Sequence, residues 1–88
     1  ERKLVFKEKT LVDHIILMED IAHGERIKEY ELIANTKNGP VTLVEGSAIG
    51  HKKIDHFEAV KADSLELIVK KADAVPIIRN FEAFYVGG

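Results

Sequence analysis

The chain has 88 residues, 45% of them hydrophobic and 32% charged, with 13 basic and 15 acidic side chains and a formal charge of −2. That length supports one small core and no second, and the slightly acidic balance argues against a nucleic-acid footprint or a polybasic membrane surface. The lack of cysteine excludes a disulfide framework and a thiolate zinc site and leaves the redox compartment open. No apolar run approaches the roughly 18 residues of a bilayer-spanning helix, and Glu1-Arg2-Lys3 opens no apolar leader, so the chain reads as cytosolic or as the mature part of an exported protein.

In chain order, Leu4-Val5-Phe6 is a short apolar run between charges and Val12 to Met18 a longer one; both suit strands. A helix over Leu11–Ile21 competes, because Leu11, Ile15 and Met18 recur at helical spacing, but the β-branched content favours a strand. Ala22 to Glu25 reads as a turn around Gly24. Ile27 to Ala34 follows as a strand with Tyr30, Leu32 and Ala34 on one face and Glu29 and Glu31 on the other; a helix over Glu25–Ile33 is the alternative. Thr36-Lys37-Asn38-Gly39-Pro40 predicts a hairpin into Val41 to Val44, with Asn-Gly supplying positive φ.

The next stretch is the least generic. Gly46 and Gly50 can both take positive φ and so frame Ile49 between two bends, with the core as the destination of its side chain. Lys52 to Phe57 then alternates Lys53, Asp55 and Phe57 against Lys52, Ile54 and His56; neither set is cleanly apolar, so the pattern does not orient the strand. Ala62-Asp63-Ser64 reads as a polar break, Leu65, Leu67 and Val69 as one face of a further strand, Pro76 as a crossing loop or an edge, and Phe81, Ala83 and Tyr85 as one face of the last strand. No repeat or linker divides the chain, so residues 1–88 form a single domain. Seven strand candidates separated by turns predict an all-β antiparallel sandwich, with an α+β arrangement as the alternative.

Chemistry is sparse. His14, His23, His51 and His56 follow no H-E-x-x-H or other compact ligand spacing, so they read as solvated or packed imidazoles, with no metal or cofactor expected. Glu19, Asp20, Asp55 and Glu58 are the carboxylates in view for acid–base work, but a glycosidase pair must be fixed across a cleft, and a thin sandwich has little depth. Gly46 to Gly50 lacks both the G-x-S-x-G order and the G-K-[ST] ending of a phosphate loop. Of Lys52 and Lys53, one is expected in water and the other on a carboxylate, with Glu19 and Glu25 as candidates; an exposed pair of this kind contributes about 0–1 kcal/mol. Glu19 is expected beside Arg26 or Lys53, tying the Gly24 loop to the Lys52–Phe57 strand. Tyr30, Phe57, Phe81, Phe84 and Tyr85 fit core positions better than a sugar-stacking platform.

Met18-Glu19-Asp20-Ile21-Ala22-His23-Gly24-Glu25-Arg26-Ile27-Lys28-Glu29-Tyr30 resembles the L-x-E-x-I-x-x-G-Q-R-V-x-x-F segment in the C-terminal domain of bacterial and plant α-L-fucosidases. Gly46 to Phe57 is similar to their G-T-T-I-G-Y-K-R-I-x-x-F, and Val75-Pro76-Ile77-Ile78 to the C-P-L-I before their last strand. The match runs from about Val12 to Tyr85 in the same order and spacing. Departures are Glu25 for Gln, His51 for Tyr, Lys53 for Arg, and the lack of a Trp around Val41-Thr42-Leu43.

The resemblance implies a galactose-binding-like (discoidin-type) jelly roll appended to a barrel that hydrolyses α-linked fucose by a retaining mechanism, with every catalytic residue in that barrel and none in this chain. It also implies that this is the C-terminal part of a sandwich with further strands before Leu4, in a periplasmic or secreted enzyme. The expected role is a non-catalytic accessory domain packed on the barrel, with weak glycan binding as an addition; an autonomous carbohydrate-binding module and a purely structural interaction domain are the alternatives. Glu19, Gly24, Arg26, Gly46, Ile49, Gly50, Lys52 and Lys53 are the candidate loop, ligand or structural residues. Strands lost before Leu4 would uncover the face of Leu65, Leu67 and Val69 or that of Tyr30, Leu32 and Ala34, which predicts self-association through a face or through the Leu4–Phe6 edge.

Overall fold

The computed structural model describes residues 2–22 and 24–87. Five strands form one antiparallel sheet: β1 Arg2–Glu19, β2 Ile27–Thr36, β3 Gly39–Gly46, β4 Lys53–Ala72 and β5 Ile78–Phe84, in spatial order β3-β2-β4-β1-β5. The all-β expectation holds, and both helical alternatives are mostly strand, residues 11–19 in β1 and residues 27–33 in β2.

Seven candidates become five strands because two apparent breaks are not turns. Leu4–Phe6 and Val12–Met18 belong to the 18-residue β1, and the Lys52–Phe57 run (from Lys53 on) and Leu65–Val69 to the 20-residue β4. At those breaks the β1–β4 register slips. From Val5 to Thr10 β1 advances five residues while β4 moves two, from Ser64 to Ala62; from Val12 to His14 β1 advances two while β4 moves four, from Val60 to His56. Such bulges bend and twist a strand without ending it. Ser64 stays in the ladder, buried opposite Asn35, whose Nδ2 donates to its Oγ at 2.9 Å.

The bends fold the sheet over itself. One layer holds β3, β2, the second half of β4 and the start of β1; the other holds the first half of β4, the second half of β1 and β5. Tyr30 marks the overlap: in register it pairs with Val69, yet its hydroxyl donates to Asp55, far earlier on the same strand, at 2.6 Å. The result is a sandwich whose layers share two strands. Between them lie Val12, Ile15, Leu17, Ile27, Tyr30, Leu32, Ala34, Phe57, Leu65 and Leu67, with Ile49 from the β3–β4 loop.

This packing closes both faces that truncation was expected to open. Leu32, Ala34, Leu65 and Leu67 are fully buried and Tyr30 nearly so, so the basis for face-to-face self-association is gone. An edge does remain at the start of β1, where Val5 is 68% exposed. The β2–β3 hairpin is where it was predicted, but positive φ falls on Gly39 (+107°) and not on Asn38. Pro40 is tolerated because β3 is an edge strand. Tyr85 lies beyond β5 and is half exposed, unlike Phe81 and Ala83, which pack on the core.

Candidate functional site

The sequence candidates gather at one end of the sandwich, where the β1–β2, β3–β4 and β4–β5 loops meet. Glu19 ends β1 facing inward and is 1% exposed. Its Oε2 accepts the backbone N–H of Arg26 at 2.8 Å and of Ile27 at 3.2 Å, which fixes the entry into β2, while Oε1 is buried without a hydrogen-bond partner. The Glu19 amide donates to the Gly50 carbonyl at 3.1 Å, drawing in the β3–β4 loop. Glu19 thus sits beside Arg26, as expected, but through the Arg26 backbone; the carboxylate beside Lys53 is neither Glu19 nor Glu25 but Asp55, whose Oδ1 lies 3.6 Å from Lys53 Nζ. The Arg26 guanidinium points elsewhere and donates to the Val75 carbonyl at 2.7 Å, while the Asp20 amide donates to the Ile77 carbonyl at 2.9 Å.

The two glycines of the β3–β4 stretch have different jobs. Gly50 adopts φ +66° and buries its backbone where an added Cβ would lie 2.6 Å from Glu25 Oε1. Gly46 does not have positive φ, contrary to the bend assigned to it; it pairs with Tyr30 across β2–β3, and a Cβ there would enter the Tyr30 ring. The missing side chain is what lets the hydroxyl end of the Tyr30 ring approach the strand. Ile49, between them, is 4% exposed and packed in the core. Gly24 makes the exposed β1–β2 turn at φ +94°, its amide donating to the Ile21 carbonyl at 2.9 Å. His23, in the first resemblance segment, lies outside the described residues.

Lys53 and Asp55 settle the orientation that alternation left open. Both face inward with Phe57, and Ile54 and His56 face solvent, with Ile54 53% exposed. The buried Tyr30 hydroxyl needs polar company, so the inner face of β4 supplies it: Lys53 Nζ donates to Tyr30 Oη at 3.3 Å, and that hydroxyl donates to Asp55 Oδ2. Burial, then the hydrogen bond and charge of Asp55, push the phenol above its ordinary range. Lys52 is exposed. The network is a joint between layers and offers no nucleophile or open acid–base pair.

A second group escaped sequence reasoning. His14 on β1 and His56 on β4, 42 residues apart, are paired in register with rings stacked 4.6 Å apart, and Phe84 of β5 stacks on the other side of His14 at 5.3 Å. Buried Asp13 accepts from His14 Nδ1 at 2.8 Å and from the Val86 and Gly87 amides at 2.9 and 3.1 Å. Burial opposes ionisation of Asp13, but these hydrogen bonds and the imidazole outweigh it and hold the carboxyl below its usual range. Only the pairing of β1 with β4 could have revealed the cluster.

Fold and loop joints together describe a small antiparallel β-sandwich domain without a catalytic constellation among the described residues. No protein-family model matches the chain. A curated rice protein (Oryza sativa subsp. japonica) named as an α-L-fucosidase is 33% identical over 70 residues, covering 80% of this chain and 14% of that protein. Among solved structures, an α-L-fucosidase of Bacteroides thetaiotaomicron VPI-5482 aligns over 98% of this chain and 20% of its own, with TM-score 0.94 and 36% identity. One from Bacteroides ovatus aligns over 96% and 14% (TM-score 0.91, 27% identity). A glycoside hydrolase family 29 fucosidase of Ruminococcus gnavus, solved with fucose, aligns over 97% and 17% (TM-score 0.85, 25% identity). The chain therefore spans between 14% and 20% of the α-L-fucosidases it resembles.

Proposed function

We propose that this chain is the accessory β-sandwich domain of an α-L-fucosidase, a glycoside hydrolase acting on α-L-fucosides of glycans, and that it packs against a catalytic barrel that carries the nucleophile and the acid/base. The observation that carries this reading is the likeness of 98% of the chain, at TM-score 0.94 and 36% identity, to one fifth of a Bacteroides α-L-fucosidase. The galactose-binding-like affiliation, a C-terminal position, and residues 1–88 as part of a larger sandwich belong to the same reading. Its chemistry agrees: retaining hydrolysis uses two carboxyls about 5–5.5 Å apart around the sugar, whereas the buried carboxylates here, Asp13 and Glu19, hold backbone amides.

A structural role is favoured over glycan capture. Tyr30 and Phe57 are buried, Phe84 lies against His14, and among the described aromatic rings only Tyr85 is strongly exposed, at 52%. Two surface grooves, one along Val69, Val75 and Ile78 and one along Thr36, Val41 and Val60, contain no aromatic ring, and a third along Thr42 and Glu58 meets only Phe57, which is 8% exposed, so none of them offers an open stacking platform.

Purified chain should release no nitrophenol from 4-nitrophenyl α-L-fucoside, and fucosylated glycans should leave the Tyr85 NMR signals unmoved. The gene product containing this segment should hydrolyse the same substrate, and excising the segment should lower its Tm and soluble yield. Turnover by the isolated chain that survives removal of contaminating hydrolases, or a parent protein inactive on α-L-fucosides, would overturn the reading.

A further inference from the structure

His14 and His56 stand side by side on the solvent face of the layer formed by β1, β4 and β5, on the side opposite the core residues Ile15, Leu17 and Phe57. One ligand atom from each of Asp13, His14 and His56 can be chosen so that all lie within 4.8 Å of one another. We propose that His14 and His56 form a two-imidazole site for a divalent transition metal ion of the Zn²⁺ type, with Asp13 as the carboxylate that orients His14.

The assignment of roles follows from which lone pairs are already engaged. Asp13 Oδ1 accepts from His14 Nδ1 and the Val86 amide, and Oδ2 accepts from the Gly87 amide, so the carboxylate is committed. With the proton on Nδ1, the unprotonated nitrogen of His14 is Nε2, on the opposite edge of the ring. A histidine that donates one N–H to a carboxylate and offers the other nitrogen to a metal is the usual outer-sphere arrangement of zinc sites, and it both fixes the tautomer and strengthens the ligand. Phe84 stacked on His14 limits that ring's rotation, whereas exposed His56 is free to adjust.

Metal binding asks His56, not His14, to move. Two nitrogens on one tetrahedral Zn²⁺, each at about 2.0–2.1 Å, are about 3.3 Å apart; because imidazole lone pairs lie in the ring plane, the near-parallel stack at 4.6 Å has to open, with exposed His56 swinging its ring out of the stack. Imidazole pairs select Zn²⁺, Cu²⁺ and Ni²⁺ over Mg²⁺ and Ca²⁺.

Isothermal titration of the tag-free chain with ZnCl₂, followed in parallel by imidazole ¹H–¹⁵N spectra, tests the site. Wild type should bind one Zn²⁺ saturably with shifts confined to His14 and His56. His56→Ala, an exposed change whose fold is checked by circular dichroism, should abolish binding. His51→Ala, at the loop end, should leave it intact, and Asp13→Asn should weaken it about 10–100-fold. Absence of saturable binding to wild type, or undiminished binding by His56→Ala, would overturn the site; an unaffected Asp13→Asn would overturn the carboxylate's part in it.

Discussion

At Glu19 one carboxylate serves two elements, and its two oxygens are used unequally. Oε2 satisfies the Arg26 and Ile27 amides, and Oε1 is buried without a partner. Truncation in Glu19→Ala removes the acceptor of both amides and should cost about 2–4 kcal/mol in denaturant titration. Glu19→Gln keeps an acceptor oxygen for both amides and should cost about 1 kcal/mol or less; equal losses in the two variants would reject this account. Tyr30 makes a pH-dependent prediction. Its folded-state pKa is raised above the ordinary 10.0 by burial and by Asp55, so the contribution of the neutral phenol is fully present below about pH 10 and is lost as pH climbs toward the folded value. Wild type should therefore lose stability above pH 10 more steeply than Tyr30→Phe; parallel alkaline profiles would contradict it.

The elements show where local patterns mislead. The charges Lys7-Glu8-Lys9 between two apolar runs and the polar break Ala62-Asp63-Ser64, whose small polar residues suit a turn, divide each strand into two candidates. They fall at or beside the β1–β4 register shift between Val5 and Thr10, and both strands continue through it. A bulge and a turn share composition; what separates them is whether a partner strand continues alongside, which no local window contains. The β3–β4 loop was more legible, because an Ile between two glycines and outside any strand has few destinations but the core. Ile49→Ala should leave a cavity and cost about 2–5 kcal/mol. A loss within about 0.5 kcal/mol by denaturant titration would be typical of a surface position instead and would contradict its 4% exposure.

For the whole molecule, the closed core revises the expectation of self-association. What remains open is edge: the start of β1 in one layer and the start of β4 in the other, beside β3 and β5. The β1 edge has Val5 exposed, but Arg2, Lys3, Lys7, Glu8 and Lys9 flank it, and charge on an edge strand discourages strand addition. The isolated chain should sediment as a monomer at tens of micromolar and unfold in one cooperative step. A concentration-dependent dimer that Val5→Lys dissolves would restore the edge-pairing expectation.

The preference for an all-β class, the strand face of Tyr30, Leu32 and Ala34, the β2–β3 hairpin and the buried Ile49 were legible in the chain, because each rests on alternation or backbone freedom within a few residues. So were the Glu19, Gly24 and Gly46–Gly50 stretches that meet at one end of the sandwich. Long-range packing was needed to show that β1 and β4 each run through both layers, that Gly46 makes room for the Tyr30 ring, that Lys53 and Asp55 face inward to serve its hydroxyl, and that His14 meets His56. Those outcomes depend on which strand lies beside which and in what register, and that is set by the closing of the whole core: a slip of one residue would send every side chain of a strand to the opposite face.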